Sequence, residues 1–387
     1  MSFMNGVRYK FVEFVLFVAI IVTIITQLPF FVERDLNICG VIIWIPLFLC
    51  VLFLNAFKMN TNICIPVACF GGYLFFLLLF NSLFYVFPVS SCIKGFSISM
   101  SMFLLGYYLA NIIKEGSFIK AIVYAALIGG SVFSIIIKNT VFYVVDLDSI
   151  SYLYQAKNSA SKIIFTCFIL VLFLYIPKLK ITIFLKYITL SFFIYMILIM
   201  KSRSTILALV VPAFAVLYYS KNKYMKKYVC IFLSVVVLLS VCFPYYPELV
   251  FNKIFLNNQI DADLNTISTG RLWMIENFFM IFNDYALIGG SSTFVENFYL
   301  ITLLQVGIIG ATPVFLFLLW FYFVLRKYFD FANPIDISCL ILLLVYYMDG
   351  LFEAMAPFGP GAKCFFLWLI IGFFINKRIE AYNKFAS

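Results

Sequence analysis

The sequence predicts an all-α integral membrane protein of about 12 transmembrane helices, with one large extracytoplasmic loop that contains an amphipathic helix. Composition is the first ground. Of 387 residues, 65% are hydrophobic, 20% aromatic and only 11% charged. A soluble domain carries about 25% charged residues, and no packed core of this size would hide so much apolar surface from water. Run length is the second ground: a hydrocarbon core ~30 Å thick is crossed by about 20 helical residues at ~1.5 Å each, and the apolar runs have that length. Pattern is the third. The runs are uniformly apolar, whereas barrel strands alternate with a period of two, so a helical protein of an inner, cytoplasmic-type membrane is expected.

The first run, near 11–31, follows Arg8 and Lys10 and so imitates a signal peptide. It exceeds the usual h-region and no A-x-A-like cleavage site follows, so it is expected to remain as the first span. Further spans are expected near 38–57, 63–86, 93–113, 118–137, 161–177, 182–200, 204–220, 228–246, 297–325, 336–354 and 361–376, in one polytopic unit over 1–387. No internal repeat stands out, which counts against an inverted-repeat transporter. With both termini cytoplasmic, the inner segments hold roughly 17 of the 27 basic residues, and the outer segments hold most of the acidic ones. The net charge of +10 is therefore a topology signal, aided by anionic lipid heads, and not a nucleic-acid patch. The ten cysteines lie within or beside apolar runs without paired spacing, and the chain has no histidine. Neither a zinc site nor a cofactor is expected.

Two expected outer segments are long, 138–160 and 247–296, and the second separates spans nine and ten. Long loops on a rigid scaffold place the working surface on that face. Three basic stretches fall there. In LNTISTGRLWMIENFFMIF (264–282), Leu272, Ile275, Phe279 and Phe282 recur at helical spacing, with Ser268 or Thr269 placed to cap. This pattern suits an amphipathic helix lying on the membrane surface. Arg271 sits in its first turn, where a cation opposes the helix dipole; it has either an anionic partner or an interfacial, salt-bridged role. In MKSRSTILALVV (200–211), Lys201 and Arg203 occupy a short outer turn, against the positive-inside trend. They are either snorkelling ends or a phosphate grip, since a guanidinium binds phosphate bidentately and Ser202, Ser204 and Thr205 add donors. Lys157 and Asn158 in YQAKNSASK (154–162) precede another span. If these loops converge, the basic residues suit a lipid-borne diphosphate at the membrane surface.

Glu296 and Asn297 stand at the mouth of a long apolar run. Glu296 either stabilises the helix start or serves as a general base in a chain without histidine. The DAD at 261–263 is a lone DxD, which soluble glycosyltransferases use to hold metal, and it is read as a solvated loop. Asp349 and Glu353, four residues apart, are expected on one helix face near the outer end of a span, facing a cavity, a sugar hydroxyl, or Arg203 or Arg271.

Four stretches in this order, AKNSAS, KSRSTILAL, STGRLWM and ENFYLITLLQVGIIG, give the chain its resemblance to the O-antigen polymerase and ligase superfamily of bacterial membrane glycosyltransferases. The resemblance covers residues 157–370 well and the first five spans in kind only. It implies glycan transfer from undecaprenyl diphosphate on the outer face of the inner membrane. Ligases of the superfamily carry a histidine in an HNxYL stretch; here Glu296 takes that place as ENFYL, which favours a polymerase. The implied mechanism is one displacement at the anomeric carbon, with inversion. Arg203 and Arg271 would bind the donor diphosphate, and Glu296 would take the acceptor proton. Asn297 or Tyr299 would orient the sugar, and Lys157, Asn158 and Lys201 would add contacts to the donor. No metal is required, because the guanidiniums supply its charge. The implied partners are the lipid-linked donor and acceptor, membrane lipids, and a chain-length regulator and flippase. The alternatives are a ligase, a lipid-linked oligosaccharide flippase, which would line a central cavity with mid-span charges, and a scaffold without catalysis.

Overall fold

Among the described residues the apolar runs fold as helix, and proline and glycine break several of them. The computed structural model describes residues 2–54, 61–84, 89–141, 157–177, 179–256, 263–268, 270–359 and 362–386. The first helices are α1 (Ser2–Ile25), α2 (Pro29–Val32), α3 (Cys39–Ile42), α4 (Ile45–Phe53), α5 (Cys64–Phe84) and α6 (Val89–Leu109). The middle ones are α7 (Glu115–Thr140), α8 (Lys157–Leu174), α9 (Lys180–Ile199), α10 (Arg203–Ala208), α11 (Val210–Tyr219) and α12 (Lys223–Cys242). After α13 (Tyr245–Val250) and α14 (Leu264–Ile267) come α15 (Arg271–Tyr285), α16 (Phe298–Tyr328), α17 (Pro334–Asp349) and α18 (Ala362–Ala386). Among the described residues there is no strand.

Among the described residues five helices, α7, α8, α9, α12 and α16, are long and apolar enough to cross a membrane. Shorter apolar helices occupy Leu36–Val51, Cys64–Phe80, Gly95–Leu109 and Arg203–Tyr219. Large apolar side chains face outward along them, such as Phe75, Phe214 and Val237, each more than half exposed. That surface is stable against hydrocarbon and unstable against water. The protein is thus a helical, membrane-embedded one.

Several expected spans are broken. The span near 204–220 divides between α10 and α11 at Leu209. Pro212 lies four residues after Ala208, so its ring removes one ladder bond and crowds that carbonyl. The span near 38–57 divides before Pro46 in the same way. Within 264–282 the expected amphipathic helix is α15, which starts at Arg271 just after the expected caps; the short α14 precedes it, and Gly270 with a left-handed φ of 80° separates the two. The span expected to reach 354 stops at Asp349, so Asp349 and Glu353 do not share a helix face. The chain leaves the helix there because the Gly350 carbonyl accepts from the Phe298 amide (2.8 Å) and seats the start of α16.

Close helix approach builds the centre. The Cβ of an alanine at Gly106 would lie 2.1 Å from the Leu369 carbonyl oxygen, and one at Gly372 would lie 2.2 Å from that of Phe103. These glycines let α6 and α18 touch backbone to backbone, as small residues do between membrane helices. Asn376 strengthens the crossing by donating to the Tyr107 carbonyl at 2.8 Å. Around it Phe317, Phe321, Phe358 and Trp368 form a ring-on-ring cluster with centroids 4.7 to 5.6 Å apart. Near the chain's C-terminus Arg378 clamps three helices. Its Nη1 and Nη2 donate to both Glu115 oxygens at 2.9 Å, and its Nε to Asp336 at 2.8 Å. The Asp336 side chain is only 2% exposed, so this charge pairing is what makes its burial tolerable.

Candidate functional site

The candidate site gathers where α8, α10, α15, α16 and α17 meet. α8 begins with Lys157 and Asn158, and the Oδ1 of Asn158 accepts from the Ser202 hydroxyl at 3.1 Å. Ser202 also bonds Thr205 at 2.9 Å, which ties the short turn ahead of α10 to the start of α8. Lys201 in that turn is 6% exposed and has φ 48°, a left-handed conformation that L-residues seldom adopt. Such strain costs of order 1–3 kcal/mol and concentrates at functional turns.

Arg203 opens α10 and reaches across to the 247–296 segment. Its Nε donates to the Ile254 carbonyl at 3.2 Å and its Nη1 to the Ile267 carbonyl. Two of five N–H donors are therefore used to hold that segment's backbone, and the fork is partly engaged. Asp263 of the DAD stretch caps α14 by accepting from Thr266, and the Thr266 hydroxyl holds its carboxyl below the usual carboxylate range. Asp261, Thr269 and residues 154–156 lie outside the described residues, as does most of the expected 138–160 loop. Ser268 acts as expected, accepting from the Leu272 amide at 3.3 Å.

Arg271 sits in the first turn of α15, 24% exposed, and its Nε donates to Glu296 Oε2 at 2.8 Å. This pairing explains how a cation is kept at a helix start that disfavours it. The face that α15 packs on protein lies beside the stripe expected to rest on the membrane surface. Met274, Phe278, Ile281 and Phe282 pack against Val295, Ile301 and Leu304, while Leu272 and Phe279 are exposed. Phe278, 3% exposed, is the residue that seats this face.

The cap of α16 is Asn297, whose Oδ1 accepts from the Tyr299 and Leu300 amides at 3.0 and 3.1 Å. Its amide nitrogen donates to the Leu351 carbonyl at 3.2 Å. Glu296 therefore stands just outside the helix, 38% exposed and turned to Arg271. Tyr299 donates to the Tyr347 carbonyl at 2.8 Å. Asn297 and Tyr299 thus join the start of α16 to the end of α17. Glu353 is half-buried in the loop after α17 and makes no ion pair among the described residues.

Burial lowers the proton affinity of both Lys157 and Arg203, and a neighbouring cation adds to each effect, Arg203 on Lys157 and Arg271 on Arg203. An anion bound near Lys157 and Arg203 would offset both effects. Asp349 does not join them. It pairs with Lys162 at 3.0 Å, with the two side chains 0% and 2% exposed. One turn further along, Thr166 and Tyr346 hydrogen-bond at 2.8 Å. Lys162 was missed in the sequence, where a lysine at the head of an apolar run reads as a span end. Its spacing of four from Asn158 is the only signal that could have placed it on the same helix face.

Arg203→Lys is expected to cut turnover by about 10²-fold or more with normal membrane insertion, because one ammonium cannot reach both carbonyls and an anion as a fork does. Turnover assayed in membranes checks this, and wild-type turnover would dismiss the fork.

Compared with known proteins, the chain matches no family model and no curated protein.

Proposed function

We propose that the chain is a polymerase of undecaprenyl-diphosphate-linked oligosaccharide repeat units, working without metal on the outer face of a bacterial inner membrane. The observation that carries the reading is a chain of contacts that ties the basic stretches together: Ser202 bonds Asn158 beside Lys157, Arg203 bonds the Ile254 and Ile267 carbonyls of the 247–296 segment, and Arg271 bonds Glu296. The loops are the same ones that carry the superfamily resemblance. The excess of basic residues in the other segments supports an extracytoplasmic position for this end.

In this reading the donor diphosphate lies between Arg203 and Arg271, whose charges hold it and favour its departure. The acceptor hydroxyl oxygen forms a bond to the anomeric carbon as the bond from that carbon to the diphosphate oxygen breaks. Undecaprenyl diphosphate leaves with the electron pair. The hydroxyl proton passes to Glu296, and because Arg271 holds Oε2, the receiving atom is Oε1. Asn297 and Tyr299 act through the seating of α16 rather than through the sugar. Glu296→Gln keeps the shape and removes the base, so turnover is expected to drop by roughly 10²–10⁴-fold. Wild-type turnover would leave Glu296 as the counter-ion of Arg271 alone.

The deciding experiment is the surface-glycan size profile of a strain lacking the gene. Chains limited to a single repeat unit support the polymerase. Long chains stranded on the lipid carrier would mean a ligase. Single units trapped inside would mean a flippase, and the proposed roles of Arg203, Arg271 and Glu296 would fall.

A further inference from the structure

The segment after α15 threads a break in α16. At Gly307 the backbone of α16 turns to φ 64° and ψ −176°, a combination open essentially to glycine alone, and the helical ladder lapses. Residues 286–291 fill the gap. Ile308 and Ile309 donate to the carbonyls of Ala286 and Leu287 at 2.8 and 3.1 Å. Gly290 and Ser291 donate to those of Gln305 and Leu304 at 2.9 and 3.1 Å. Backbone polar groups that the break exposes are thereby satisfied by protein, which is the condition for irregular backbone at membrane depth. Only glycines fit the contact. Gly289 has φ 82°, and the Cβ of a side chain there would stand 2.4 Å from the Gly307 nitrogen. One at Gly307 would stand 2.4 Å from the Ile288 nitrogen and the Leu287 carbonyl.

We infer that this glycine crossing positions Arg271, so that Gly289 and Gly307 are positioning residues for the transfer step; the inference rests on the function proposed above. α15 is a rod of 15 residues, about 21 Å long. Arg271 stands at one end, and the crossing begins directly after the other. Midway, Phe278 (3% exposed) is the rod's buried anchor on Val295, Ile301 and Leu304. The opposite side, with Trp273, Phe279 and Met280 more than half exposed, has no protein to brace it. The first third of α16 runs from its cap Asn297, the neighbour of Glu296, back to Gly307. Arg271, the crossing and Glu296 are therefore three corners of one closed unit. The register of the crossing sets the distance at which the arginine meets the carboxylate. A misplacement near 1 Å costs about 10²-fold in rate, so the crossing is where such an error would enter.

The test compares Gly289→Ala with wild type in the full chain, embedded in membranes. Two readouts are taken: backbone deuterium uptake and turnover of lipid-linked repeat units. Uptake is expected to rise over 271–291 and to stay unchanged over α17 and α18. Turnover is expected to fall about 10²-fold, and only about threefold or less when Arg271→Lys is already present, since coupled residues are non-additive. If uptake and turnover both match wild type, the inference is overturned. It is also overturned if uptake rises over 271–291, turnover holds, and Arg271→Ala is inactive. If Arg271→Ala is itself fully active, the proposed function fails first and the positioning role fails with it. Should Gly289→Ala not accumulate, Gly290→Ala perturbs the same crossing through its φ of 108° and carries the same two measurements, with the same outcomes overturning the inference.

Discussion

Arg271→Ala is expected to abolish polymerisation, by roughly 10³-fold or more, while the chain still inserts and accumulates. The guanidinium engages Glu296 through Nε, which leaves Nη1 and Nη2 to face a phosphate. Its side chain is 24% exposed, so it is shielded enough for its charge to act strongly and open enough for a ligand to reach. Insertion should survive because Arg271 takes no part in the packed core, whose nearest member on this helix is Phe278. Removing the arginine also releases Glu296, so two roles are lost with one residue. The measurement is the ladder of glycan lengths in cells carrying the variant at wild-type protein level. Near-normal lengths would remove Arg271 from the site.

Gly372→Ala should have the largest effect on folding. The added methyl carbon would lie 2.2 Å from the Phe103 carbonyl oxygen and 3.0 Å from the Tyr107 nitrogen. Both are backbone atoms in the last two turns of α6, so no side chain can rotate away, and the two helices must separate. Overpacking of a core typically costs about 1–3 kcal/mol, and a rigid backbone neighbour places this case at or above the upper end. The Asn376 bond to Tyr107 and the aromatic cluster around Trp368 would loosen together. Immunoblotting of membranes should show little intact protein. Gly71→Ala in α5 is the control, because nothing lies within 4 Å of the Cβ it would gain. Equal loss in both variants would refute the crossing argument.

Apolar run length made the helices legible, because a membrane leaves few alternatives to a helix with its own hydrogen bonds satisfied. The basic stretches at 157, 201–203 and 271 were legible too, as charges that spans do not need. Their grouping was not, since it depends on Arg203 finding carbonyls at 254 and 267, which no local pattern encodes. The roles at 296 and 297 were partly exchanged: the amide caps the helix and the carboxylate takes the arginine. A short side chain at the cap position wins because it reaches the next two amides. The break at Gly307 could not be read, as glycine is common in membrane helices and its strand-like partner lies in another segment. The partner of Asp349 escaped for a similar reason, because 187 residues separate it from Lys162 (349 − 162 = 187).

The Arg378 clamp also constrains biogenesis. Its acidic members, Glu115 and Asp336, belong to helices made before α18, whereas the arginine arrives with the last segment. A ribosome that has released α17 but not α18 leaves a carboxylate destined for near-complete burial without its counter-charge. The arrangement of α7 and α17 around this carboxylate is therefore expected to close only after α18 has joined them. A product lacking Arg378 would keep Asp336 buried without its counter-charge, a costly state.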